Sequence, residues 1–187
     1  YFVGQLGLEA LAGLALVFPP LMLMQQMANA SMGGAIAAAV GRAIGGGRRD
    51  DAAALVVHAL IIACAMGALF TALFVGLGPI LYARLGGRDA VLDAALDYGN
   101  AIFAGAAVYW LLGAFTSVVR GTGQVALLAW VYLGAEVLHI LLVPVLVFGL
   151  GPVPALGPAG AGIATVTSFA ASTAVLACYL ASGRTSV

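Results

Sequence analysis

The sequence contains no lysine, and charge of either sign is scarce. Only 7% of its 187 residues are Asp, Glu or Arg, seven arginines against seven acidic residues. Soluble domains carry nearer a quarter charged residues, so a chain this poor in charge is not built to face water on all sides. The zero formal net charge gives no electrostatic footing for nucleic acid. Two cysteines, Cys64 and Cys178, lie within apolar runs at no disulfide or metal-ligand spacing and read as small packing residues. A phosphate-binding Walker A run, a GxSxG elbow, HExxH and Cys/His clusters are all missing, so neither ATP-driven nor hydrolytic chemistry is expected, and no cofactor. The run GTGQVA mimics a dinucleotide-binding loop but follows no strand. The start, YFVGQLGLEA, has no basic region or cleavage site, so it does not read as a signal peptide.

What the chain has instead is long apolar runs. It is 64% hydrophobic, with a mean hydropathy of +1.14. Five segments are long enough to span a bilayer: residues 10–44, 52–81, 95–119, 125–150 and 159–181. None alternates as a barrel strand would. The expectation is an all-α, polytopic transmembrane bundle forming one lobe over residues 1–187. Twenty-six glycines, with many alanines, allow close helix approach in lipid. Pro19-Pro20 reads as a kink or as a helix start, and Pro144 as a kink.

The connections carry the arginines. Alternating sides groups Arg42, Arg48, Arg49, Arg120 and Arg184 at one end, with Arg84 and Arg88 at the other. The Arg-rich end is therefore expected in the cytoplasm of a multi-pass membrane protein. The residues before the first segment then lie outside, and a further span upstream is expected.

Glu136 and His139 sit in the middle of residues 125–150, three apart and on one helix face. At about 1.5 Å per residue that helix covers a ~30 Å hydrocarbon core. A carboxylate there costs at least a few kcal/mol unless paired, hydrated or protonated. Glu136 thus reads as an ion-coupling or cation-binding group with its pKa raised by burial, or as a structural carboxyl bonded to a neighbouring helix. His139 reads as its partner or proton relay, or as a packing imidazole. Tyr132, one turn before Glu136, is placed to hydrogen-bond it. Gln25 and Asn29 share a face at i, i+4 and read as cavity lining or as interhelical hydrogen bonds, and the nearby Gln26 and Ser31 as the latter. Tyr109, with Trp110, Thr116 and Ser117, reads as a stacking surface for a cation or as core. His58 reads as a packing residue.

Three ordered runs carry a family resemblance: LGLEALAGLAL, the Pro pair and Gly33-Gly34 leading to VGRAIGGGRRDDA; SVVRGTGQ; and LVFGLG followed by LGPAGAGIAT. Together they resemble the second helix and its loop, the loop after the fourth helix, and the fifth-to-sixth helix junction of multidrug and toxic compound extrusion (MATE) transporters. The resemblance implies the N-terminal lobe of a two-lobed antiporter, lacking its first helix and rocking against a second lobe by alternating access. That second lobe would be a C-terminal half or a homodimer partner. It implies export of cationic or amphipathic small molecules in exchange for H⁺ or Na⁺, across a bacterial inner membrane. The family's fifth helix often carries Asn and, four residues on, Asp; those places hold His139 and Val143 here, with Glu136 offset. Two alternatives stay open: a lipid-linked oligosaccharide flippase of the same superfamily, and a non-transporting membrane scaffold.

Overall fold

The computed structural model describes residues 2–182; the Arg184 of the expected Arg-rich end lies outside them. Every regular element among the described residues is helical. A 3₁₀ turn at Val3–Leu6 leads into α1 (Leu8–Gln26), a π-helical stretch at Met27–Met32 and α2 (Gly33–Gly45). Then come α3 (Arg49–Gly76), the short α4 (Gly78–Arg84), α5 (Asp89–Ala104), α6 (Ala106–Gly121), α7 (Val125–Phe148) and α8 (Gly157–Ala181). Four helical stretches are long and apolar enough to cross a membrane, and the pair α5–α6, bent by 46°, makes a fifth.

The first expected segment is thus one 38-residue helix, Leu8–Gly45, with a π turn in its middle. Pro19 and Pro20 neither start nor break it. Both lie within α1, and the irregularity comes seven residues after Pro20. The third segment holds no proline and is the bent one. Its break is Gly105, where a side chain would collide with Val166 of α8 at 2.5 Å. There the missing side chain, rather than a missing amide, lets α8 close on the bend.

Small residues set the helix spacing. A Cβ on Gly13 of α1 would meet Ala94 at 2.7 Å, and one on Gly162 of α8 would meet Ala101 at 2.7 Å. One on Gly67 of α3 would strike the backbone of Ala107 in α6. With lipid as the competing solvent, such close approach is what holds helices together. The buried core clusters about Met24, Phe70, Phe74, Phe103 and Trp110. Phe74 stacks on Phe103 with centroids 4.4 Å apart. Leu69 and Ile61 are among the large apolar side chains left exposed, as expected of helices that meet acyl chains.

Gly121, at the end of α6, packs against Ala37 and Val40 of α2. That contact brings Arg120 to the same end of the bundle as Arg42, Arg48 and Arg49. At the opposite end Phe2 packs edge-on against Phe148, 6.4 Å away.

Candidate functional site

α7 stands at the edge of the lobe. It packs along α8 and more lightly on α6, while α1 packs along α5. Between α1 and α7, in the half of the bundle away from the Arg-rich end, opens a cleft of about 250 Å³. Its walls are Val3 and Leu14 on one side and His139, Ile140 and Val143 on the other; Tyr98 of α5 and Thr165 of α8 also line it.

His139 is half-buried, and its Nε2 lies 3.2 Å from Thr165 Oγ1. Thr165 donates its own proton to the Ala161 carbonyl at 3.0 Å, a bond within α8. With that proton committed, the hydroxyl has lone pairs to offer, so the imidazole donates Nε2–H. The contact fixes the orientation of His139 toward α8.

Glu136 lies one turn from Ile140 toward the Arg-rich end. It is exposed, and no hydrogen bond or ion pair holds it among the described residues. The burial expected from mid-span depth is therefore absent within this lobe, because α7 forms the lobe's edge. His139 does not pair with Glu136; it is turned to Thr165. Tyr132 does not reach Glu136 either: its hydroxyl lies 3.0 Å from Thr116 Oγ1 of α6. Thr116 and Tyr109 share a face of α6 at i, i+7. Tyr109 meets Phe169 of α8 edge-on at 5.0 Å. The structure thus joins Tyr109 and Tyr132 into one aromatic seam between α6, α7 and α8. Trp110, on another face, is buried against Phe70, and Ser117 donates to the Gly113 carbonyl at 2.6 Å.

Gln25 is half-buried near the end of α1, and Asn29 is exposed in the π turn. Neither lines the cleft, and neither side chain has a hydrogen-bond partner among the described residues. His58 is exposed and lies 2.7 Å through Nδ1 from the carbonyl of Ala54, one turn back. Sequence reasoning missed Thr165 and Tyr98. Thr165 had a signal: it is the last residue of the LGPAGAGIAT run, and a hydroxyl at that depth needs a partner. Tyr98 lies near the start of the expected span 95–119, and nothing in its sequence context sets it apart from a packing tyrosine.

This architecture has relatives. The sequence profile of the MatE family matches residues 1–145. The FAD transporter of Shewanella oneidensis is 30% identical over 90% of this chain and 37% of its own length. Among solved structures, an inward-facing multidrug resistance MATE family transporter of the MOP superfamily superposes with a TM-score of 0.92 at 27% identity, covering all of this chain and 41% of that one. The outward-facing conformation of such a transporter gives 0.90 at 27% identity, over all of this chain and 40% of that one. The chain spans about two fifths of the length of these relatives. A profile match over most of the chain, and a shared fold from end to end, place this multi-pass membrane protein in the MATE family of transporters.

Proposed function

We propose that this chain is one lobe of an ion-coupled antiporter that exports planar, cationic or amphipathic molecules across the bacterial inner membrane. A second lobe, covalently continuous or a separate subunit, closes the pathway. One observation carries the reading. Glu136 is a mid-span carboxylate exposed on the lobe surface, one turn from a cleft whose histidine is oriented by Thr165. A carboxylate in hydrocarbon costs several kcal/mol, so the stripe Glu136–His139–Ile140 faces water between two lobes rather than lipid. Antiport follows when H⁺ or Na⁺ and a cationic substrate compete for the same negative site, so that binding one expels the other.

The FAD-transporting relative suggests an anionic cargo instead. A dinucleotide carries phosphate charge, and phosphate recognition calls for arginine or lysine. The described arginines all lie in connections or in terminal helix turns, leaving no guanidinium beside Glu136. That favours cations.

The test is gradient-driven transport in vesicles carrying the assembled transporter, with ethidium and FAD as alternative cargoes. Ethidium movement driven by an imposed H⁺ or Na⁺ gradient, abolished in Glu136→Gln, supports the reading. FAD movement without ethidium movement, or a Glu136→Gln variant as active as wild type, refutes it.

A further inference from the structure

On the side of α6 away from Tyr109 and Thr116 lies a second groove, about 300 Å³ in volume. Its walls are Ala53, Val56 and Leu60 of α3 and Leu180 and Ala181 of α8, with Phe115 of α6 as its floor. Every one of these side chains is apolar. The groove lies at the Arg-rich end, within the first four turns of α3 and beside the end of α8. Residues 53, 56 and 60 recur at helical spacing, and Arg49 continues the same stripe one turn earlier. Arg49 is exposed and has no ion pair among the described residues, whereas Arg48 is paired with Asp51 at 3.7 Å. Asp50 and Asp51 are rotated about 100° and 200° from Arg49 around the helix, so they leave the stripe free of carboxylate. A slot walled by three spans, whose α3 stripe continues one turn on to an exposed arginine with no ion pair among the described residues, suits one ligand chemistry: an acyl chain ending in an anionic phosphate head.

We propose that this groove binds an anionic phospholipid of the leaflet at the Arg-rich end, with one acyl chain between α3 and α8 and the head-group phosphate on Arg49. Three walls distinguish it from ordinary annular lipid contact, since the chain would touch three spans at once and tie α3 to α8 across α6. It is independent of Glu136 and His139, which lie on other faces of the bundle.

The test uses the whole transporter purified in a neutral detergent and native mass spectrometry to count bound lipid. Dioleoyl phosphatidylglycerol and dioleoyl phosphatidylcholine are titrated separately. The proposal expects one phosphatidylglycerol retained at about fivefold lower concentration than phosphatidylcholine, the advantage of one surface arginine. Arg49→Gln removes that preference and Arg48→Gln leaves it. Ala53→Phe, which fills the groove from an exposed position, abolishes retention of either lipid. Glycerol 1-phosphate in excess displaces nothing. Equal retention of the two lipids, a preference surviving Arg49→Gln, retention surviving Ala53→Phe, or displacement by glycerol 1-phosphate would each overturn it. Because Arg49 and Ala53 are exposed, both variants are expected to keep the wild-type melting temperature.

Discussion

Thr165 gives His139 its direction, and through it α7 presents an oriented imidazole to the cleft. A hydrogen bond of this kind is worth about 1 kcal/mol net. Thr165→Val should therefore lower stability only slightly, yet slow transport, because the imidazole loses the contact that orients it. Thr165→Ser should restore the wild-type rate, and rates identical in all three proteins would remove Thr165 from the site. Tyr82 makes a different residue-scale case. It is fully buried on α4, which is not one of the spans, and its hydroxyl has no hydrogen-bond partner among the described residues. Burial pushes its pKa up to about 12. Below pH 10 the phenol is neutral in folded and unfolded chain alike. Above pH 10 the unfolded chain ionises first, so stability falls as pH rises from 10 toward 12. Tyr82→Phe should remove that alkaline loss and raise stability at neutral pH by about 1 kcal/mol, measured by thermal unfolding in detergent. Glu136 and His139 stand out in the sequence because they are ionisable groups in an apolar run. The partner of His139 was not legible. The i, i+3 spacing joined Glu136 to His139, and only the packing of α8 on α7 could show that Thr165 takes the histidine instead.

The elements behave less as proline and more as glycine dictates. α1 runs through Pro19-Pro20 unbroken, since neighbours in a packed bundle can re-satisfy the freed carbonyls. The π turn begins at Met27, where Ala28 nests over Gly113 and Gly33 over Ser117 of α6. An extra residue per turn there lets the first span keep contact with α6 past its widest point. Composition marks a span as apolar but does not show where a turn widens, which is why both the π turn and the Gly105 bend escaped the sequence reading. Adding a methyl group tests the packing directly. Gly67→Ala must push Ala107 away and should cost about 1–3 kcal/mol. Gly134→Ala on α7 meets nothing within 4 Å and should raise helix stability by up to about 1 kcal/mol. Similar melting temperatures for the two variants would mean that α3 and α6 are not held by close contact.

At the scale of the molecule, the chain superposes almost equally on inward-facing and outward-facing relatives, at TM-scores of 0.92 and 0.90. Those relatives keep the matched fold in both states, so the proposed two-lobe reading expects this lobe to move as a rigid body against a partner lobe. Spin labels at the exposed Ile62 and Val175, on α3 and α8, should keep one distance distribution with and without substrate. A second distance appearing with substrate would place the motion inside the lobe. The five spans and their Arg-rich end were legible because hydropathy and charge act along the chain. The cleft was not, because it exists only where α1 and α7 fail to meet. That unfilled edge leaves Glu136 facing outward, and the central claim is that the exposed carboxylate exchanges an ion for a cation. Ion release on substrate binding measures this most directly. The assembled transporter is mixed with ethidium in weakly buffered solution while a pH electrode and a Na⁺ electrode record the medium. The account predicts about one H⁺ or Na⁺ released per ethidium bound, with the release lost in Glu136→Gln. Ethidium binding without any ion release in the wild type, or release undiminished in Glu136→Gln, would contradict it.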